Sequence, residues 1–250
     1  MKTRLDDWID PRHLSETAIA AAAARFAADP YQTIWFDNFL LEPRLEALRA
    51  LYEGDGVFGP WFGLFDPTTE ARLRFVDAEE FAAAPDERRF EQETVLTGAP
   101  PTRPLAHGYI VHQQFLSFCR KEPLRRFLER ITGCDPISVH SFQSRITGPG
   151  HYVRPHNDSD SRRRLCLILY PGRAWSPNHG GLFQQFHPDG RTRRLEPQPN
   201  RLVVFRVSTD SLHEVEPVAA EAPPRWGYTV WMGEPTDGAA VRETPGQGQR

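Results

Sequence analysis

The chain has 250 residues, 39% of them hydrophobic and 25% charged, with a formal net charge of −3. This is the composition of a globular protein able to bury a sizeable core, and it excludes an intrinsically disordered chain. Nothing in the overall charge calls for nucleic acid or an anionic membrane surface, and no apolar run approaches the ~20 residues that span a bilayer.

The opening residues, MKTRLDDWIDPRH, lack the uninterrupted apolar stretch of a signal peptide. Cys119, Cys134 and Cys166 follow no metal-type spacing, so reduced thiols in a cytoplasmic protein are expected. Residues 14–28 are Ala-rich and predict a helix capped by Ser15. A strand is expected over 33–41, then a second helix with Pro43 just inside its start and Gly54 as its stop. Residues 55–75, with Trp61, Phe62 and Phe65, read as a loop that either caps the core or lines a substrate. Residues 77–110 mix charge with proline and predict a short helix followed by an irregular connection, serving as a lid or as a plain surface excursion. From Tyr109 to Gly133 apolar residues recur at helical spacing, giving two helices, the second opened by Pro123 and closed by Gly133.

The second half changes period. RLCLILY (164–170), LFQQF (182–186), RTRRLEP, RLVVFRV (201–207), SLHEVEP and RWGYTVWM (225–232) are short strand-like runs separated by turn residues. Their number and spacing predict a sandwich or barrel, here a jelly roll (double-stranded β-helix), in a mainly β chain with flanking helices. The expected organisation is helical support and lid over 1–137, a jelly-roll core over 138–235, and a flexible tail over 236–250, all one structural domain. Within the core lie His156 and Asp158, and His213 follows 55 residues after Asp158. Residues i and i+2 of an extended strand project to one side, so His156 and Asp158 can reach one ion, with His213 arriving from another strand. Two imidazoles and one carboxylate form a facial triad that binds non-haem Fe(II) and leaves its opposite face open.

The ordered motifs of residues 140–233 resemble the Fe(II)/2-oxoglutarate-dependent oxygenases, in the prolyl 4-hydroxylase-like branch. The run RRRLCLILY…W…GGLF, NRLVVF, HEVEPV and RWGYTVW is similar to ribosomal-protein and oxygen-sensing prolyl hydroxylases. The resemblance implies Fe(II) on His156, Asp158 and His213, with 2-oxoglutarate as co-substrate, dioxygen as oxidant and ascorbate as a possible stimulant. It places Arg225, twelve residues beyond His213, on the distal carboxylate of 2-oxoglutarate, a match that a guanidinium fork suits. Tyr170 corresponds to a tyrosine that helps bind the same co-substrate. Gly227 departs from the pattern, standing where many members carry a serine. Asp158 separates the chain from the halogenases, which lack that carboxylate, and so implies hydroxylation. The expected substrate is a prolyl residue in a protein or peptide. A free amino acid or natural-product scaffold, and a non-catalytic binding module, are the alternatives. His151, His179 and His187 are expected in surface loops, and Trp175 and Trp231 in the core.

Overall fold

The computed structural model describes residues 4–68, 73–101, 104–135, 137–159, 162–234 and 242–243. Its helices are α1 (Glu16–Ala28), α2 (Glu42–Ala50), α3 (Ala78–Ala83), α4 (His107–Cys119) and α5 (Glu122–Thr132). Its strands are β1 (Thr33–Phe36), β2 (Val57–Phe65), β3 (Leu73–Val76), β4 (Arg89–Gly98), β5 (Ser138–Thr147) and β6 (Tyr152–His156), then β7 (Arg163–Tyr170), β8 (Phe183–Phe186), β9 (Thr192–Leu195), β10 (Arg201–Arg206), β11 (His213–Val215), β12 (Arg225–Gly233) and β13 (Arg242–Glu243).

Strand β7 shows how the sequence builds two faces. Leu165, Leu167 and Leu169 point to one side and pack with the helices, in a cluster that includes Phe26, Leu48, Phe115, Phe118 and Phe127. Cys166, Ile168 and Tyr170 point to the other side, among Phe183, Val203, Phe205 and Trp231. A strand buried on both faces is apolar at nearly every position, which explains the unbroken run. The first face is the helix-covered exterior of the barrel, and the second is its interior.

Hydrogen bonding runs in the order β1-β10-β7-β12-β5-β4-β6-β11-β8-β9. Strands β5, β7, β10 and β12 form one half and β6, β8, β9 and β11 the other, all antiparallel. Successive strands therefore cross from half to half, except for the β8–β9 hairpin, and this is the jelly roll that the strand spacing predicted. The helices pack on the first half. Asn200 helps dock the N-terminal region: its side chain accepts from Leu40 N (2.8 Å) and donates to Leu40 O (2.9 Å).

Ser15 caps α1 by accepting from Ala18 N, and Gly133 ends α5 at φ +68°, both as expected from sequence. The segment before α4 is a correction. In place of a capping loop over 55–75, β2 runs for nine residues and pairs with β4 along nearly its whole length. In place of an irregular connection after α3, β4 runs for ten. Pro60 lies in the part of β2 that only β4 pairs, where a missing N–H is tolerated. Strand β4 bridges the two halves, pairing with β5 through Thr94 and Val95 and with β6 through Glu91 and Gln92. Residues 69–72 and 102–103 of the expected lid lie outside the described residues, as does the expected tail apart from β13, which pairs parallel to β5. No described helix is long and apolar enough to cross a membrane.

Candidate metal centre and co-substrate pocket

His156 ends β6 and His213 begins β11, and the two are direct partners across the strand pair. Their rings lie 4.3 Å apart. Asp158 Oδ1 is 3.6 Å from His156 Nε2, and Oδ2 is 3.4 Å from His213 Nε2. One potential ligand atom from each of the three lies within 4.8 Å of the others. The reason first given for the His156/Asp158 spacing does not hold. The strand stops at His156, and Asp158 sits in the left-handed region at φ +56°, a conformation that Asp tolerates better than most residues. The Asn157 side chain supports this turn, accepting from Ser159 N (3.0 Å) and donating to Thr209 O (3.2 Å).

Backbone carbonyls fix both imidazoles. Nδ1 of His156 donates to Arg154 O (2.9 Å), and Nδ1 of His213 donates to Ser211 O (2.7 Å). A carbonyl can only accept, so each Nδ1 carries the proton and each Nε2 is turned on Asp158 as a candidate ligand atom. Burial opposes charge on Asp158, yet the two imidazoles hold its carboxyl well below the usual carboxylate range. For His156 burial lowers the pKa, but the Asp158 carboxylate outweighs it and the net shift is upward; burial and the neighbouring His156 lower His213. Two nitrogens and a carboxylate turned on one point fit a divalent first-row ion, and this donor set is that of non-haem Fe(II).

Deeper in the barrel Arg225 is 4% exposed. Its Nη2 donates to the Tyr170 hydroxyl (3.1 Å) and its Nη1 to the Thr147 hydroxyl (3.3 Å), while Nε has no partner among the described residues. Tyr170 is itself fully buried. Among the described residues no carboxylate forms an ion pair with Arg225. A buried guanidinium without a counter-charge is costly, and a bound carboxylate is what would repay it. Gly180 and Gly181 make room: a Cβ on Gly180 would meet Pro217 O at 2.3 Å, and one on Gly181 would reach Arg225 Cδ at 3.4 Å. Both adopt positive φ.

Four further residues, Arg145, Thr147, Glu91 and Glu93, were not singled out from the sequence. Arg225, Gly227, Thr229 and Trp231 share the inner face of β12, opposite Thr147, Arg145, Gln143 and Ser141 of β5. The Thr147 hydroxyl therefore contacts Arg225 near the position where Gly227 offers none. Glu91 and Glu93 of β4 also turn inward, 4% and 1% exposed. Glu93 accepts from the Thr147 hydroxyl (2.7 Å) and from Arg145 Nη1 (2.5 Å). Glu91 accepts from Trp61 Nε1 (2.7 Å), and burial pushes its carboxyl up to about 7. Trp61, expected in a loop, is thus 3% exposed and held inside a strand.

The other histidines stay outside the site. His151 and His179 fold back on their own turns, and His187 pairs with Asp189. Trp175 and Trp231 are both buried. The three cysteines are free and buried. In the basic run 191–194, Arg191 pairs with Asp189, Arg193 with Asp29 and Arg194 with Glu216.

Residues 141–233 match the model of the 2OG-Fe(II) oxygenase superfamily. The chain is 26% identical over 167 residues to prolyl 3-hydroxylase sudestada1 of Drosophila melanogaster, covering 62% of this chain and 30% of that protein. It is 27% identical over 124 residues to mouse prolyl 3-hydroxylase OGFOD1, covering 46% and 22%. The aligned regions thus span less than a third of these curated relatives. Among solved structures, a Pseudomonas putida prolyl-4-hydroxylase superimposes with a TM-score of 0.54 at 20% identity, over 87% of this chain and 99% of that one. A Trichoplax adhaerens prolyl hydroxylase, solved with a hypoxia inducible factor peptide fragment, gives 0.54 at 15% identity, over 90% and 96%. Both share the fold described above.

Proposed function

We propose, on the premise that residues 141–233 form a 2OG-Fe(II) oxygenase domain, that this chain hydroxylates a prolyl residue within a protein or peptide. The observation that carries the reading is the pair of carbonyl-locked imidazoles turned on Asp158. His156, Asp158 and His213 would hold Fe(II). Arg225 would take the distal carboxylate of 2-oxoglutarate, with Tyr170 and Thr147 orienting its guanidinium. Bound iron and co-substrate supply the chemistry: with dioxygen, 2-oxoglutarate and a C–H bond become succinate, carbon dioxide and an alcohol.

The protein's part is binding, orientation and the exclusion of water. Phe183 and Phe205 pack their rings against His213 at 5.3 and 4.8 Å, and Phe90 meets His156 edge-on at 5.2 Å. These apolar contacts shield the imidazoles on the protein side and strengthen charge interactions at the open face. The prolyl substrate is supported by the curated relatives, which are prolyl 3-hydroxylases. The test is Fe(II)- and 2-oxoglutarate-dependent succinate release, with mass spectrometry of candidate protein substrates. Succinate release together with a gain of one oxygen on a specific prolyl residue is expected, and His213→Ala should abolish both Fe(II) retention and turnover. Oxidation only of a free metabolite would replace the prolyl reading, and undiminished turnover in His213→Ala would remove the proposed metal site.

A further inference from the structure

A second set of buried groups adjoins the triad, and the co-substrate reading does not use it. Arg145 projects from β5 into the barrel between the two carboxylates of β4. Its Nη1 lies 2.5 Å from Glu93 Oε2 and 3.7 Å from Glu91 Oε2, and its Nη2 donates to the Gln143 side-chain carbonyl. The Arg145 guanidinium stands 5.5 Å from the centre of the Trp231 ring, and that of Arg163 stands 4.6 Å from the same ring. Arg163 Nη1 in turn lies 3.5 Å from Asp158 Oδ1, which ties the group to the triad. Around this one indole three N–H donors are buried with no acceptor among the described residues: Arg145 Nε, Arg163 Nε and Trp231 Nε1. Trp231 is 6% exposed, so its N–H cannot simply be left to bulk water. Each such orphan is costly until something accepts from it.

Charge decides what the acceptor is. The two arginines already face three carboxylates, those of Glu91, Glu93 and Asp158. Arg145 is thus paired with Glu93 and Arg163 with Asp158, so neither guanidinium is left without a counter-charge. A substrate carboxylate would find no unpaired guanidinium here in a largely buried cleft, which is unfavourable. A neutral carbonyl oxygen satisfies the donors without that cost. Gly227, directly across from Arg145 on β12, leaves open space where any larger residue would put a side chain.

We propose that Arg145, clamped by Glu93 and Glu91, is a specificity-determining residue that binds a backbone carbonyl of a peptide substrate together with the Trp231 N–H. Glu93 is the positioning residue, because it fixes the guanidinium from the side away from Nε. This inference rests on the oxygenase reading above and selects an internal peptide segment over a free amino acid.

The test uses the Fe(II)-loaded full chain and a library of ten-residue peptides, each with one central proline and blocked ends, read by mass spectrometry. Arg145→Gln should raise KM for the best peptide at least tenfold, with kcat falling less than threefold. Trp231→Phe keeps a ring beneath both guanidiniums and removes only the N–H, and it should raise KM about tenfold, so the proposal stays testable if Arg145→Gln does not fold. Glu93→Gln should raise KM by a smaller factor than Arg145→Gln. A peptide KM unchanged in Trp231→Phe overturns the proposal, as does a preference for free proline or a proline carboxylate over the blocked peptides. Wild-type protein that binds Fe(II) and 2-oxoglutarate yet releases no succinate with any peptide or metabolite would instead overturn the oxygenase reading, and this proposal with it.

Discussion

Arg225 and Tyr170 are separated by 55 residues of chain and meet inside the barrel, where the guanidinium donates to the phenol at 3.1 Å and also lies 4.9 Å from its ring centre. The contact is buried on both sides, so each group is held in place for whatever binds beyond it. Arg225→Ala should raise KM for 2-oxoglutarate by two to three orders of magnitude, the size expected from losing a buried ion pair worth about 3–5 kcal/mol. Tyr170→Phe keeps the ring and removes one hydrogen bond of about 1 kcal/mol, so its KM should rise only about fivefold. Steady-state succinate release at varied 2-oxoglutarate measures both; a wild-type KM in Arg225→Ala would move the anchor elsewhere.

Gly227 invites the opposite experiment. A Cβ there would meet nothing within 4 Å, and its φ is not in the left-handed region. Gly227→Ser should therefore fold, with a small gain in stability of about 0.5–1 kcal/mol from reduced unfolded-state entropy. If its hydroxyl reaches the co-substrate carboxylate, KM for 2-oxoglutarate falls severalfold. Thermal melts and kinetics read the two effects separately.

Asp158 combines an expected metal-binding role with a backbone cost. Asp158→Gly should weaken Fe(II) binding at least a hundredfold, while its Tm in chelator equals or exceeds that of wild type because φ +56° suits glycine. Asp158→Ala should bind Fe(II) equally poorly and melt lower than Asp158→Gly, since Ala at positive φ is strained. Calorimetric titration and melts in chelator test the pair. A Tm for Asp158→Ala equal to that of Asp158→Gly would show that the turn carries no strain.

Glu91 should leave a signature in the pH dependence of stability. Its carboxyl moves from 4.5 to about 7 on folding, chiefly through burial. The folded state then holds a proton that the unfolded state has lost, so this group's contribution to stability falls as pH rises from about 4.5 through 7 and is flat beyond. Glu91→Gln mimics the protonated form. Relative to wild type it should gain stability across that window, by a total of about 3 kcal/mol. Urea unfolding in chelator at pH 5 and pH 8 checks the sign, and a pH-independent difference would exclude the shift.

What could be read from sequence followed simple periods. The alternation and turn residues of 164–232 correspond to β7 through β12, and the order of His156, Asp158 and His213 led to residues that the fold brings together. The details failed where local rules were overridden. Asp158 reaches the site by a left-handed turn and not by strand alternation, which an H-x-D spacing cannot distinguish. Strand β4 was hidden because its inward positions are Glu91, Glu93 and Val95, and buried carboxylates do not register as apolar periodicity. The available signal was the alternation itself in RFEQETVL, together with an arginine and a threonine two apart in QSRIT. Those two, Arg145 and Thr147, are the residues that meet Glu93.

Strand β4 lies before the segment that matches the superfamily, yet it sits between that segment's first two strands and sends its carboxylates toward the triad. The molecule is thereby divided into a superfamily-matching core and a sheet extension that borders its site. The groups proposed to hold iron and co-substrate come from β5 through β12 and the turns between them, whereas Glu91, Glu93 and Trp61 arrive on a sheet extension of β2, β3 and β4. Residues 57–98 can be viewed as a cassette held to the core by two short ladders, four paired residues in all. Exchanging this cassette between related chains would leave the strands that carry His156, His213 and Arg225 in place while replacing the groups that back them, Phe90 against His156 and Glu93 on Thr147, a route by which one chemistry can be redirected to new targets.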